Sequence, residues 1–376
     1  MDVVLSENQT LLQQATRRFV DQEHPVLATR KLAEAGSAFA ASSWQACAAQ
    51  GWIGLFVPAE HGGMAEDAEG VIDAAIVAEE LGRQVFAGPF ASNAVVAFAI
   101  ANAGSEVQRA THLPGLVSGE TQAAWCFAGT GAQDGLGPDA LTVSGNAISG
   151  AAGFVENGAS ADLLLVSARD GIGLSQFLIP ADHPGITIEP LRSLDLGRGY
   201  ATVRFDSVEV DRSALLGDEE AASAQFERQL QLALVLQCAE TIGLIDRAFE
   251  FTLEWVRQRH AFGRPIGSFQ ALKHRLADHT AEFEAAKAAV AYAAKAVQNR
   301  SSDAAIAVSI AKSQCGKQGV EIVRDCVQMH GGVGLTWEHD LHFYLRRAVA
   351  NQSLLGTPAM HHERIALLAG IEGDTP

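Results

Sequence analysis

The spacing of apolar residues changes twice along this chain, and these changes limit the folds that it can adopt. Up to about residue 118, apolar side chains recur at helical intervals, as Leu11, Leu12 and Phe19 do. Between about 120 and 216, short runs rich in Val, Ile, Leu and Thr, such as ADLLLVSAR and YATVRFDSVEV, are separated by Gly, Pro, Asn or Asp. Beyond residue 218 the helical spacing returns.

This order predicts an α+β fold with an N-terminal helical domain (1–118), a central antiparallel β domain (119–217) and a C-terminal helical domain (218–376). Several short strands follow one another without helices between them, which favours a small antiparallel domain over a Rossmann unit. We expect Ser6 to cap the first helix, and Ser268 to cap the helix that follows a Phe-Gly-Arg-Pro turn.

The composition excludes several classes of function. The 376 residues carry a formal net charge of −17, which would repel nucleic acid and anionic membranes. The N-terminal MDVVLSENQT has neither the basic nor the apolar part of a signal peptide, and no apolar run is long enough to cross a bilayer. The five cysteines form no C-x-x-C pair, so we expect buried, reduced thiols in a soluble, cytoplasmic protein.

Three common kinds of site are disfavoured. The densest histidine clusters, His339 with His342 and His361 with His362, do not have zinc-ligand spacing, so no metal site is predicted. The sequence contains no Gly-x-Ser-x-Gly elbow of a serine hydrolase. The glycines of AGTGAQDGLG precede a predicted strand rather than a helix, which favours a loop over a phosphate site.

Two segments are more informative. RQRHAFGRPIGSFQALKHRLAD (257–278) places arginines beside a glycine turn between two helices, an arrangement that suits a pyrophosphate and an ordinary turn equally well. QMHGGVGLTWEHD (328–340) carries three close glycines after an amphipathic helix. Three glycines exceed what a helix end requires, which indicates that a ligand or another chain approaches the backbone there.

Together these segments resemble the FAD-dependent acyl-CoA dehydrogenase family, in particular bacterial members that act on bulky, steroid-type acyl-CoA and are often heteromeric. The motifs that carry the resemblance are Arg259-x-x-Phe262-Gly263 with Gln270, and Gln328-x-x-Gly331-Gly332-x-Gly334. GWIGLFVPAEHGG at 51–63, EELGR at 79–83 and the helix–β–helix order match the same family.

The resemblance implies a C-terminal four-helix bundle, dimers or tetramers of like or unlike subunits, FAD as cofactor and an acyl-CoA as substrate. The implied reaction is α,β-desaturation, in which a carboxylate removes the α proton and the β hydrogen leaves as hydride to the flavin. Electron-transfer flavoprotein or a similar acceptor then takes the electrons. The residues that would contact FAD, held mainly by a neighbouring subunit, are Arg259, Phe262, Gln270, Gln328, Gly331 and Gly332, with Thr357 in the Gly-Thr frame near the usual base.

The position of the base departs from the family's pattern. The commonest catalytic glutamate of the family falls on Leu355, and the minority position on an earlier helix falls on Ala233. Glu240 is the remaining candidate, on nearly the same helix face as Ala233 and among apolar neighbours, where a base works best. The alternative is a structural glutamate paired with Arg247 or with an arginine from another helix.

The β domain also departs from the family's pattern. Phe154-Val155-Glu156 stands where the family often has Trp-x-Thr beside the flavin, and WCFAG replaces the usual Thr-Glu-Pro. The C-terminal motifs, which a subunit contributes to the FAD site of its neighbour, are intact. This difference is expected of a hetero-oligomer in which two different subunits share each FAD site. Three functions stay open: an acyl-CoA dehydrogenase for a bulky or alicyclic substrate with Glu240 as base, a non-catalytic subunit that completes a neighbour's FAD site, and a flavin monooxygenase of the same fold.

Overall fold

The computed structural model describes residues 5–36, 39–65, 70–130, 136–171 and 173–371. Within these ranges, helices come first, strands follow and long helices complete the chain, so the predicted α+β order is confirmed. The exact domain boundaries stay a prediction. None of the described helices is both long and apolar enough to cross a membrane, and all five cysteines are buried free thiols, as expected.

The N-terminal helices pack around an aromatic core that includes Trp44, Trp52, Phe56 and Phe98. Ser6 caps the first helix by accepting a hydrogen bond from the amide of Gln9, which confirms the predicted cap. The helices are α1 (Glu7–Glu23), α2 (Val26–Ala35), α3 (Ala41–Ala48), α4 (Val71–Arg83), α5 (Phe90–Ala103) and α6 (Glu106–Ser118).

The central domain is a seven-stranded sheet in the order β1-β4-β2-β3-β7-β6, with β5 paired to β4. The predicted antiparallel pairing holds for most neighbours, whereas β1 and β2 each run parallel to β4, which makes the sheet mixed. The strands are β1 (Ala123–Cys126), β2 (Leu141–Ser144), β3 (Ala147–Glu156), β4 (Leu163–Arg169), β5 (Leu174–Pro180), β6 (Ile186–Leu191) and β7 (Tyr200–Glu209).

Alternate residues of the central strands enter two different cores. Ala123 and Trp125 of β1 join the core formed with the helices, while Ala124 and Cys126 join a second core confined to the β domain. Successive side chains of a strand point to opposite faces, so this strand is buried on both sides. One face of the sheet is therefore fixed against the helical domains.

The C-terminal domain is a bundle in which the two long helices α7 and α9 pack against each other, and α8, α10 and α11 pack on α9. Ser268 does not cap α8; its hydroxyl donates to the Pro265 carbonyl, and Phe269 precedes the helix instead. The elements are α7 (Ala222–Gln258), β8 (His260–Ala261), β9 (Arg264–Pro265), α8 (Gln270–Gln298), α9 (Ala304–His330), α10 (Leu341–Ser353) and α11 (Pro358–Leu368).

Candidate functional site

A cavity of about 320 Å³ lies where the three domains meet. Its walls are mostly apolar, and its charged residues, Glu156, Arg198 and Glu240, come from β3, the loop before β7 and α7. Helices α4 and α5 contribute Leu81 and Phe90, the end of β1 contributes Trp125 and Phe127, and α7 contributes Leu236. A concave, mainly apolar site with a few convergent polar groups is typical of small-molecule binding.

Glu240 faces this cavity but is held by cations. Its Oε1 atom lies 2.6 Å from Arg198 Nη2 and 2.6 Å from Arg347 Nη1, and the Asn351 amide donates to Oε2 at 2.9 Å. Burial would raise the pKa of Glu240, but the two guanidinium groups outweigh it and lower the pKa below its ordinary value. These contacts match the alternative interpretation, a structural glutamate paired with an arginine from another helix, and Glu240 as the base stays a prediction.

The arginine partners come from outside α7. Arg347 is a fully buried residue of α10 that also contacts Asp195 and donates to the Phe86 carbonyl at 3.1 Å. Arg247, suggested from the sequence, pairs with Glu250 at 2.8 Å instead. Arg347 thus connects the N-terminal domain, the loop before β7 and α7, so Glu240 lies at a junction of all three domains.

Glu156 is a second carboxylate in the cavity, and it is less completely bonded than Glu240. It ends β3 and faces Tyr200 in the register of β3 with β7. Arg198 Nε lies 3.5 Å from Glu156 Oε1, yet Oε1 and the Tyr200 hydroxyl have no hydrogen-bond partner among the described residues. Burial raises the pKa of Glu156, and the nearby Arg198 only partly offsets it.

The two positions at which the resemblance places a base also lie at the cavity. Leu355 and Ala233 line it together with Thr357. Leu355 has a φ of 56°, and its carbonyl accepts a hydrogen bond from His361 Nε2 at 2.8 Å. Thr357 caps α11 by accepting from the Met360 amide at 3.4 Å. The cavity thus brings together Glu240 and Thr357 of the residues predicted from the sequence.

The other predicted residues lie together at an exposed corner of the C-terminal domain, which we call the C-terminal corner: Arg259, Phe262, Gln270, Gln328, Gly331 and Gly332. Trp255 joins its two halves, because Arg259 lies over its ring at 5.7 Å and its indole nitrogen donates to the Met329 carbonyl at 3.2 Å. None of the six lines the cavity.

The C-terminal corner has the features of a surface that another molecule covers. The Phe262 side chain is 95% exposed. A Cβ added to Gly331 or Gly332 would meet no described atom within 4 Å beyond its chain neighbours. Open glycine backbone beside an exposed guanidinium fits a pyrophosphate. These residues therefore fit a pyrophosphate such as the one in FAD.

The sequence matches two family models, the acyl-CoA dehydrogenase N-terminal domain at 6–120 and the acyl-CoA dehydrogenase C-terminal domain at 224–368. A curated relative, the acyl-CoA dehydrogenase IpdE2 of Mycobacterium tuberculosis, is 31% identical over 94% of this chain and 94% of its own length. The chain belongs to the acyl-CoA dehydrogenase family. The family and its FAD dependence, expected from the motifs, and the fold class, expected from the apolar spacing, are confirmed.

Two further comparisons indicate which relatives are similar along the whole length. The acyl-CoA dehydrogenase IpdE2 of Mycolicibacterium smegmatis is 29% identical over 96% of this chain and 98% of its own. Among solved structures, a chain of the ChsE4-ChsE5 complex from Mycobacterium tuberculosis superimposes with a TM-score of 0.87 at 26% identity, covering 100% of both chains.

The sequence did not single out the cations that define the cavity's polar end. Arg198 follows a Gly-punctuated turn 42 residues from Glu240, and Arg347 is 107 residues away, so no local spacing connects them. Lys312 was missed as well, although a lone cation between the buried Val308 and Cys315 at helical spacing is a readable signal. Its Nζ donates to the Leu354 carbonyl at 2.7 Å, beside Leu355.

Proposed function

We propose that this chain is a subunit of an FAD-dependent acyl-CoA dehydrogenase and that its C-terminal corner completes the FAD site of a neighbouring subunit. The observation that carries the proposal is the exposure of all six corner residues in a chain of this family. In the isolated chain Phe262 makes an edge contact with Phe269, with ring centroids 6.2 Å apart, and stays almost fully exposed. Phe262 and the bare glycine backbone would both gain further contacts when a neighbour brings FAD to them.

In this assembly each residue of the C-terminal corner has a role in binding FAD or the neighbouring subunit. When bound, FAD supplies the acceptor for the β hydrogen of an acyl-CoA thioester. Arg259 binds the pyrophosphate, Gln270 and Gln328 offer amide hydrogen bonds, and Gly331 and Gly332 let the cofactor approach the backbone. Phe262 packs on the neighbour and excludes water from the site.

A hetero-oligomer is supported by two observations. One of the similar solved structures is a chain of the ChsE4-ChsE5 complex from Mycobacterium tuberculosis. In this chain Leu355 and Ala233 leave both family positions for a base without an acid. We propose a bulky or alicyclic acyl group as substrate, and electron-transfer flavoprotein or a similar protein as electron acceptor.

A second candidate is that this chain's own cavity also catalyses desaturation, with Glu240 as base. Its support is that Glu240 lies in the cavity with Leu355 and Ala233. Against it stand the two arginines that lower the pKa of Glu240, since a base for an α proton works best with a raised pKa. A base supplied by a partner subunit would not have its pKa lowered by these two arginines.

The proposal is tested by measuring how much FAD the protein retains with and without a partner subunit, and after a substitution in the C-terminal corner. The chain is purified alone and after co-expression with each acyl-CoA dehydrogenase-like protein of its source organism, and bound FAD is measured by absorbance. We expect FAD only in the co-expressed complex, and a loss of at least tenfold in FAD affinity with Phe262→Ala. Val107→Ala removes another exposed apolar side chain, from α6 outside the C-terminal corner, and should have no effect. Full FAD occupancy of the chain alone, or of the Phe262→Ala complex, would contradict the proposal.

A further inference from the structure

Arg259 has a fixed backbone and an exposed side chain. Its amide donates to the Trp255 carbonyl at 2.8 Å, and its carbonyl accepts from the Ile266 amide at 2.7 Å. Among the described residues, no hydrogen bond or ion pair holds its guanidinium group. A long side chain without support loses rotamer freedom when it binds a ligand, and that loss weakens the binding. The direction of the guanidinium must therefore come from some other contact.

The indole ring of Trp255 provides this contact. Trp255 precedes Arg259 by one turn at the end of α7, and the central guanidinium carbon lies 5.7 Å from the centre of its ring. This distance is within the range of a cation–π interaction, in which the negative face of the ring attracts the cation. The same residue thus holds the backbone of Arg259 through its carbonyl and the side chain of Arg259 through its ring.

The Trp255 ring is itself fixed by the last turn of α9. Its Nε1 atom donates to the Met329 carbonyl at 3.2 Å. The His330 imidazole stacks on the indole, with ring centroids 5.1 Å apart and an angle of 18° between the planes. His330 is held in turn because its Nδ1 atom donates to the Cys326 carbonyl at 2.8 Å. Since Gly331 follows His330 directly, Trp255 fixes Arg259 relative to the open glycine backbone.

We propose that Trp255 is a positioning residue of the FAD site, which holds the Arg259 guanidinium ready for the pyrophosphate before the cofactor and the neighbouring subunit arrive. The inference rests on the proposed function, in which Arg259 binds that pyrophosphate. A side chain that already has its bound conformation loses less freedom on binding, so the ring contact increases the affinity for FAD. Trp255 acts through Arg259, and its contribution disappears when Arg259 is removed.

The test is a double-mutant cycle in FAD affinity, measured by flavin titration of the apo-form of the FAD-binding complex. The cycle compares the wild type with Trp255→Leu, Arg259→Ala and the double variant. We expect Trp255→Leu to weaken FAD binding about tenfold, as for loss of a cation–π contact that the complex shields from water. In the Arg259→Ala background the same substitution should change the affinity by less than about twofold, because no guanidinium is left to position.

Two further variants separate the ring contact from the fold of α7. Trp255→Phe keeps an aromatic face for the guanidinium and loses the hydrogen bond to Met329, so it should bind FAD within about threefold of the wild type. Trp255→Met removes the ring with a good helix former and replaces Trp255→Leu if that variant does not fold. Phe283→Leu is the matched control, because Lys287 lies over the Phe283 ring at 5.3 Å within α8, and it should leave FAD affinity unchanged.

The outcomes distinguish this inference from the proposed function. If Arg259→Ala leaves FAD affinity unchanged, Arg259 does not bind the pyrophosphate, and both the inference and that part of the proposed function fail. If Arg259→Ala weakens FAD binding and Trp255→Leu does not, the proposed function stands and only the positioning role is overturned. An equal loss from Trp255→Leu in both backgrounds, or a loss with Trp255→Phe as large as with Trp255→Leu, would also overturn it, because Trp255 would then act on the fold of the corner and not through Arg259.

Discussion

Glu240 is a buried carboxylate between the guanidinium groups of Arg198 and Arg347. The balance between its burial and these two positive charges determines its pKa and its contribution to stability. Removing one partner from a buried ion cluster leaves the others uncompensated, which costs roughly 3–5 kcal/mol. The pKa of Glu240 is lowered in the folded state, so the contribution of Glu240 to the free energy of unfolding decreases at low pH. The stabilisation is complete above the ordinary glutamate pKa of about 4.3 and is lost as the pH falls through the lower pKa of the folded state.

We expect Glu240→Gln to lower the free energy of unfolding at pH 7 by roughly 3 kcal/mol, measured by urea denaturation. The difference from the wild type should shrink as the pH falls below about 4. Glu189→Gln is the control, because Glu189 and its partner Arg204 are both more than half exposed and such surface pairs contribute about 1 kcal/mol or less. If Glu240→Gln leaves stability unchanged and abolishes desaturation in the complex, Glu240 is the base and the structural interpretation is wrong.

At the scale of elements, the contact between α4 and α7 positions Glu240. A Cβ on Gly243 would lie 1.9 Å from the Glu79 carbonyl oxygen, and one on Gly82 would lie 2.1 Å from the Glu240 carbonyl oxygen. Glycines on both helices therefore allow the two backbones to approach each other closely. The close approach sets how far Glu240 projects towards the arginines.

Gly243→Ala should destabilise the chain by about 1–3 kcal/mol, because the new methyl group meets backbone that cannot move without parting two helices. The intrinsic gain of alanine over glycine in a helix, about 1 kcal/mol, is smaller than this clash. Gly332→Ala is the control, since a Cβ there meets nothing within 4 Å. Equal denaturation midpoints for the two variants would show that α4 and α7 adapt without cost.

Elements were easier to predict than the contacts between them. The apolar spacing of α4 and α7 and the cap at Ser6 depend on neighbours within one or two turns, so the sequence displays them. The cluster around Glu240 depends on Arg198 and Arg347, which only the packing of three domains brings together. The apolar neighbours of Glu240 along α7 gave no sign of these cations.

At the scale of the whole molecule, the C-terminal corner is an exposed surface whose glycine backbone is uncovered in the isolated chain. Gly332 makes this testable, because its surroundings are open in the chain alone and are filled only if a cofactor and a neighbour approach. The stability of the chain and the stability of its FAD complex should therefore respond differently to the same substitution.

Gly332→Val should leave the free energy of unfolding of the chain alone within about 0.5 kcal/mol of the wild type, as for other open surface positions. In the co-expressed complex it should lower FAD affinity at least tenfold, because the added side chain occupies the space through which FAD reaches the backbone. Flavin titration of the apo-complex and urea denaturation of the single chain provide the two measurements. Val107→Ala again serves as the surface control. If both quantities stay unchanged, the C-terminal corner does not contact FAD; if both fall together, Gly332 has a structural role within the chain.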